Sequence, residues 1–475
     1  MFATELNFKP KLSVLNDDQV EQLQLATLEV LERTGVQLTH PRALELLDGA
    51  GARVDGNRVR LPAWLVEEAI RQAPSRVVLG QRNGERTVLL EGDKSWFGPT
   101  VDCVDYLDPF TAERRPFTRD DCRLTATLAD ALPNYTWVMT IGMSADSPAD
   151  IADRVIARQV LTYCRKPMVF CSKDLASVRD IYDMAVLIAG SEERFRQAPT
   201  IAPLTDPISP LLQYDPTIDK LLFCAEKGIP VVHLAAPQAG STAPATFAGT
   251  VVQGSAESLS GLVLTQLVRP GAPFIYGAFT TVMDMSTTIF SYGAPEMSLM
   301  VAAMAQLAHR YGLPFMGTGG CSDAKFPDPQ AAAEATFSCL SSALSGANLI
   351  HEPGQLDHGS VASPAYIVLV NEVLHMVKQY MHGLPVNDET LAVDVIDRVG
   401  PGHHYLQEDH TFDHFREVWY SQLFDRTVNA QWLEQGAVRF EERLREQTRL
   451  AMAHRPPPLP EDIIKELDQM EKRWQ

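Results

Sequence analysis

Between Trp96 and Glu352 the chain is punctuated by short apolar runs: Trp96–Tyr106, Trp137–Met143, Pro167–Ser172, Thr200–Asp206, Pro230–Ala235, Pro273–Phe279, Pro314–Gly320 and Ala347–Glu352. They are rich in β-branched and aromatic residues and apolar throughout rather than alternating, which is the pattern of parallel strands covered on both faces. Helical segments separate them. Thr118–Ala131 opens on Thr118-x-x-Asp121, a capping box with Asp where Glu or Gln is usual. Pro295–Tyr311 stops at Gly312, and Asp328-Pro329 supplies an N-cap and a first-turn proline for a helix closed by Gly346. Eight strand signals alternating with helices predict a closed (β/α)8 TIM barrel. The rival open doubly wound sheet is weakened because no Gly-x-Gly-x-x-Gly follows any strand.

The flanks have a different rhythm. Up to about Leu90, helical spacing recurs over Asp17–Thr34, Ala43–Asp48 and Ala63–Gln72 without strand–helix alternation. Residues 1–90 are therefore expected to form an N-terminal helical extension, packed outside the barrel or in an oligomer interface. The barrel core is expected over 91–370. Residues 371–475 turn helical again, broken at Gly383-Leu384-Pro385 and at Gly400-Pro401-Gly402. A long charged helix is expected around Trp432–Ala453, then a break at Pro456–Pro458 and an amphipathic tail helix over Glu461–Trp474. This C-terminal helical segment is expected to pack on the barrel.

Charge narrows the partners. The 475 residues carry 41 Lys and Arg against 60 Asp and Glu, a formal charge of −19. Nucleic acid is excluded as a general partner, because phosphate contacts need a basic footprint. A cationic small molecule is compatible. No apolar run is long enough to span a bilayer, and the first residues lack a charged-then-apolar signal pattern, so no membrane association and a cytoplasmic location are expected. The 7 cysteines are scattered, odd in number and without Cys-x-x-Cys, the pattern of reduced, mostly buried thiols.

In a barrel the carboxyl ends of the strands converge on one face, where chemistry is done. Trp96, Phe97, Tyr106, Phe279, Gly319, Gly320, Cys321, Asp323, His351, Glu352 and His358 lie at or just beyond strand ends. Aromatic faces beside carboxylates suit a quaternary ammonium, which the rings attract without hydrogen bonds. The plainer reading of each aromatic is core or rim packing. His351, ending a buried strand before Glu352, is the best single candidate for catalysis or substrate binding against the alternative of a satisfied core histidine. Asp323 is the second catalytic candidate, although Asp323 and Lys325 read equally as a loop ion pair. Gly317-Thr-Gly-Gly lets backbone approach a ligand and offers N–H groups to a carboxylate. His403, His404, His410 and His414 raise the question of a metal, but no His-Glu-x-x-His is present and Asp409 and Asp413 can simply pair with them. No metal site is assigned.

Two stretches resemble the trimethylamine methyltransferase family: Gly-Gly-Cys-Ser-Asp-Ala-Lys-Phe-Pro-Asp-Pro-Gln-Ala-Ala-Ala-Glu over 319–334, and Gly-Pro-Gly-His-His-Tyr-Leu over 400–406 with His410-Thr411, Asp425-Arg426, Trp432 and Gly436-Ala437. The resemblance spans nearly the whole chain. It implies a TIM-barrel enzyme that passes a methyl group from an amine to a corrinoid (cobalamin) on a corrinoid-binding methyl-carrier protein. Trimethylamine enzymes of the archaeal type carry pyrrolysine on a late barrel strand. The corresponding stretch here, placed at Gly317–Ser322, holds ordinary residues only, so the likeness is to the non-pyrrolysine branch, which includes glycine betaine methyltransferases. That branch implies a quaternary amine substrate, glycine betaine by default, released as the tertiary amine dimethylglycine. Carnitine, another betaine or a tertiary methylamine is the alternative. The corrinoid carriers' own Asp-x-His-x-x-Gly motif is absent, so the corrinoid must come from the partner. Readings of another class are a metal-dependent barrel lyase or hydrolase and a non-catalytic betaine-binding protein. The expected assembly is a homo-oligomer.

Overall fold

In the computed structural model, which describes residues 9–474, eight short strands make one parallel sheet. They are β1 (Trp96–Phe97), β2 (Val138–Met139), β3 (Met168–Phe170), β4 (Ile201–Thr205), β5 (Val231–Ala235), β6 (Phe274–Ala278), β7 (Phe315–Thr318) and β8 (Leu349–His351). Each pairs with its sequence neighbour from β2 through β8, and β8 returns to pair with β1. The ring closes between β1 and β2 through the Phe97–Tyr135 bridge and the Thr136 N–H, which donates to the Phe97 carbonyl at 2.9 Å. This is a closed (β/α)8 barrel, and each strand lies inside one of the eight apolar runs.

The helices between the strands begin and end as their residues dictate. Thr118 caps Arg119–Ala131 through a reciprocal box with Asp121. Gly312, at φ 66°, closes Pro295–Tyr311 in a left-handed turn that a side chain would strain. Two expectations change. The stretch Trp432–Ala453 is not one helix: it splits into Asn429–Glu434 and Phe440–Met452 around Gly436 at φ 93°. The segment before the barrel is not purely helical. Beside helices Asp17–Glu29, Pro41–Gly49 and Ala63–Gln72 it holds a small three-stranded sheet and an antiparallel hairpin, Val77–Gly80 with Arg86–Leu90.

That hairpin plugs the amino-terminal end of the barrel. Val77, Leu79, Val88 and Leu90 form one buried cluster with the inward residues Trp137, Met139, Val169, Ala202, Leu204, Val232, Leu234, Ile275, Met316 and Leu349. The barrel axis is thus packed solid below and can receive a ligand only from the carboxyl end. The larger second core lies between strands and helices. The N-terminal helices pack on the long helix Phe247–Val268. The tail helix Glu461–Trp474 is tied to the barrel by Glu471, which accepts from Arg119 at 2.7 Å and also pairs with Arg158. Among the described residues, no helix is long and apolar enough to cross a membrane.

Candidate active site

The floor of the barrel mouth is built by β7 and β8, whose register sets Thr318 beside His351. Met316 and Leu349 face the barrel interior, so the two-residue period aims Thr318 and His351 inward one layer higher. Glu352 follows with φ 85°, a backbone state that non-glycine residues rarely adopt. All three are buried. The Thr318 hydroxyl donates to Glu352 Oε2. His351 Nδ1 donates to the Gly317 carbonyl at 2.8 Å, and Nε2 lies 3.4 Å from Glu352 Oε1. The Tyr292 hydroxyl and Cys321 thiol also hydrogen-bond Glu352. Burial pushes the Glu352 carboxyl above its ordinary range, opposed by these donors and the adjacent His351 ring. The same burial, with Glu352 nearby, holds Tyr292 and Cys321 firmly protonated.

One wall above this floor is aromatic. Phe279, just past β6, lies 5.2 Å from Tyr292, 6.3 Å from Phe290 and 6.4 Å from the His351 ring, and Phe290 is 5.0 Å from Tyr292. Asp323 holds the segment carrying two of these rings. It accepts from the Tyr292 N–H at 2.9 Å, the Gly293 N–H at 3.1 Å and the Ser291 hydroxyl. His358 Nδ1 sits 3.1 Å from both Asp323 Oδ1 and the Phe290 carbonyl oxygen. Asp323 and His358 are thus committed to bracing the wall. The Asp323 carboxylate, expected as a catalytic group, accepts from three loop donors.

The opposite wall carries carboxyls. Asp102, at φ 47°, accepts from Thr140 Oγ1 at 2.9 Å and hydrogen-bonds the Cys171 thiol. Asp206, past the end of β4, is open to solvent yet crowded by the surrounding loops. Desolvation raises the pKa of both carboxyls, and it raises the Cys171 thiol strongly, which excludes Cys171 as a resting thiolate. The buried Lys220 donates to the Ser172 carbonyl at 3.0 Å and partly offsets the shift at Asp206. The mouth is therefore aromatic on one side and carboxylate-rich on the other.

The structure gathers His351, Glu352, Cys321 and Phe279 and separates the other expected residues. Trp96 sits a layer lower, its indole donating to the Leu89 carbonyl of the plug at 2.9 Å. Phe97 points outward into the strand–helix core. Tyr106 lies in a small sheet beyond the barrel, against Phe117 and under the Arg115 guanidinium at 4.6 Å. The Gly319 and Gly320 N–H groups are not free for a carboxylate, since they donate to the His351 carbonyl at 3.1 Å and to Ser338 Oγ at 2.9 Å. A Cβ on Gly320 would lie 3.0 Å from Cys339 Sγ and from Pro353, so this glycine serves close packing of the loop. Thr318, Tyr292, Phe290 and Asp102 were not singled out from sequence. Tyr292 and Phe290 stand far beyond a strand end, and only the Ser291-Tyr292-Gly293 turn before a proline-started helix hinted at a shaped loop. His410 and His414 stack at 4.3 Å on an exposed segment, with His414 paired to Glu417 at 2.7 Å. Among the described residues no group of three or more His, Cys, Asp or Glu side chains is arranged to hold a metal ion.

Comparison with known proteins places this geometry. A sequence model described as trimethylamine methyltransferase matches residues 3–475. A trimethylamine methyltransferase of Desulfitobacterium hafniense is 36% identical over 455 residues, covering 95% of this chain and 92% of that protein. A glycine betaine methyltransferase from another strain of that organism is 33% identical over 436 residues, covering 90% and 89%. A trimethylamine methyltransferase of Methanosarcina mazei is 33% identical over 470 residues, covering 96% and 94%. Among solved structures, the Methanosarcina barkeri monomethylamine methyltransferase superposes with a TM-score of 0.50 at 10% identity, covering 99% of this chain and 95% of that one, a likeness of fold.

Proposed function

The chain belongs to the trimethylamine methyltransferase family of corrinoid-dependent methyltransferases, and from that premise we propose that it demethylates a quaternary amine, glycine betaine first, with the methyl passing to a Co(I) corrinoid on a separate carrier protein. The observation that carries the reading is the pairing of the Phe279–Phe290–Tyr292 wall with the buried Glu352 at the mouth floor. Ring faces and a carboxylate together attract a cation that has no N–H to donate in a hydrogen bond.

The corrinoid is the methyl acceptor, a substrate, and supplies a cobalt nucleophile that takes the methyl carbon in line. The mouth is packed solid below, and the exposed Asp206 lies at its rim. The chain's own residues have a limited task. A quaternary nitrogen leaves as a neutral amine, so no proton has to reach it. Phe279, Phe290 and Tyr292 orient the ammonium and exclude water. Glu352, held by Thr318, Tyr292, Cys321 and His351, sets the charge beneath it. Fixing one methyl toward the opening turns a two-body encounter into an oriented one, which is where the rate gain arises.

The test is a panel of glycine betaine, carnitine, proline betaine and trimethylamine incubated with enzyme and cob(I)alamin, followed by absorbance for methylcobalamin. The reading expects turnover with glycine betaine or another quaternary amine and little with trimethylamine. Turnover of trimethylamine alone would transfer the assignment to a tertiary amine, and no turnover across the panel would overturn it.

A further inference from the structure

A betaine ends in a carboxylate, and the Gly319 and Gly320 N–H groups that suit one are committed within their loop. A cation stands on the other side of the mouth, behind the acidic wall. Lys220, 2% exposed, is the one lysine or arginine among the buried side chains of the described residues. Its ammonium uses little of its donor capacity: the Ser172 carbonyl at 3.0 Å is its one acceptor among the described residues, and no carboxylate pairs with it directly. A buried charge without a direct counter-charge lowers stability, so packing does not account for it. The Ser172 hydroxyl, on the residue that Lys220 holds, is also buried without a partner.

Geometry sets this charge beside the mouth. Leu204 and Val169 face the barrel interior, so Asp206 and Cys171, two residues on, face inward one layer higher. β4 and β3 stand across the ring from β8 and β7, which places Asp206 and Cys171 opposite His351 and Thr318. The helix that follows β4, Asp215–Lys227, packs against them. Thr217 Oγ1 donates to the Asp206 carbonyl at 2.8 Å, and Lys220, three residues on along the same helix face, reaches the residue next to Cys171. The Lys220 charge opposes the rise that burial imposes on the Asp206 pKa, so its field extends to the rim.

Resting on the quaternary-amine reading of the mouth, we propose that Lys220 and Asp206 are its specificity-determining pair: the Lys220 charge favours a carboxylate on the substrate's free arm, and Asp206 opposes it. With the nitrogen held by Phe279, Phe290 and Tyr292 over Glu352, that arm runs across the ring toward β3 and β4. Lys220 is too buried to touch the ligand and acts through its field. Burial also decides which charge prevails. The exposed Asp206 is screened by water and salt, whereas the buried Lys220 is screened much less. The balance favours a zwitterionic betaine over a plain quaternary cation.

The test compares glycine betaine with tetramethylammonium, a quaternary nitrogen without a carboxylate, by calorimetry on the full chain. The readout is the ratio of the two affinities, in which effects on the aromatic wall or on folding cancel. At an effective dielectric of about 20, a unit charge about 10 Å from the carboxylate changes that ratio roughly 10-fold. Lys220→Gln keeps a donor for the Ser172 carbonyl, loses the charge, and should lower the ratio of betaine to tetramethylammonium affinity by about that factor. Asp206→Asn should raise it, by roughly 2- to 10-fold because the group is screened. Opposite signs are a result that loss of packing does not produce. A ratio that fails to fall in Lys220→Gln, or fails to rise in Asp206→Asn, overturns the inference and leaves the quaternary-amine reading standing. Wild-type enzyme that binds tetramethylammonium and not glycine betaine does the same, and wild-type enzyme that binds neither overturns both. Should Lys220→Gln not fold, by circular dichroism, Lys220→Met takes its place with the same expected fall.

Discussion

Replacing Glu352 by Gln keeps the size of the side chain and removes its charge. In the wild type the carboxyl meets Thr318 Oγ1, the Tyr292 hydroxyl, the Cys321 thiol and His351 Nε2 at 3.4 Å. A carboxylate accepts at about four lone-pair sites, so it can serve the two hydroxyls and the thiol. A glutamine keeps one acceptor oxygen and turns an NH2 group toward the rest, so a stability loss of about 1–3 kcal/mol is expected by urea unfolding. A unit charge about 5–10 Å from the ammonium contributes about 1.5–3 kcal/mol at an effective dielectric of about 20, so affinity for the quaternary ammonium should fall roughly 10- to 100-fold by calorimetry. The pH dependence has a definite sign. Burial raises the Glu352 pKa, so its carboxylate, and the cation affinity with it, is lost on acidification at a higher pH than an ordinary carboxylate near 4.5 would dictate. Glu352→Gln should flatten that profile, and Tyr292→Phe, which removes a donor to the carboxylate, should move it further upward. An E352Q enzyme with wild-type affinity and an unchanged pH profile would refute the role of Glu352.

Other substitutions test other parts of the account. Phe279→Ala removes one face of the aromatic wall, and at about 0.5–2 kcal/mol for a cation–ring contact, affinity should drop roughly 3- to 30-fold by calorimetry; an unchanged value removes Phe279 from the site. His233 is buried outside the barrel between Thr205 Oγ1 at 2.9 Å and Gln213 Nε2 at 3.1 Å, its pKa lowered by burial to about 3 from 6.5. The unfolded chain binds that proton first, so folding stability should fall as pH drops from 6.5 toward 3, with this group contributing up to about 1.4 kcal/mol per pH unit. His233→Gln should show a shallower slope in urea unfolding at stepped pH, and an equal slope would contradict the assignment. Gly98→Ala would place a Cβ 2.5 Å from the Trp137 ring, and a loss of about 1–3 kcal/mol in unfolding free energy is expected. Dialysis against a chelator should leave turnover of the amine substrate unchanged, and loss with recovery on adding zinc would favour the metal-dependent alternative.

The barrel was legible because its strands are buried on both faces and so read as unbroken apolar runs, as Val231–Ala235 and Phe274–Ala278 do. The plug hairpin was not, because Val77–Gly80 and Arg86–Leu90 are joined by a polar turn and hide beside stronger helical patterns. Within the site, His351 and Glu352 stood out as ionisable residues ending an apolar strand. Trp96 and Phe97 misled for a structural reason. The run to Tyr106 reads as one strand, but β1 ends at Phe97, so Trp96 belongs to the packed layer below the mouth and Phe97 to its outer face. Phe290, Tyr292 and the clamp by Asp323 depend on a loop folding back over the floor, and no periodicity encodes that.

The central claim is that a quaternary amine gives its methyl group to a corrinoid at this mouth. Its most direct test is carbon-13 NMR of enzyme, methyl-labelled glycine betaine and cob(I)alamin. The account predicts labelled methylcobalamin and dimethylglycine appearing in equal amounts, and more slowly in the E352Q and F279A variants at limiting substrate. Labelled betaine recovered intact while trimethylamine is demethylated under the same conditions would contradict it.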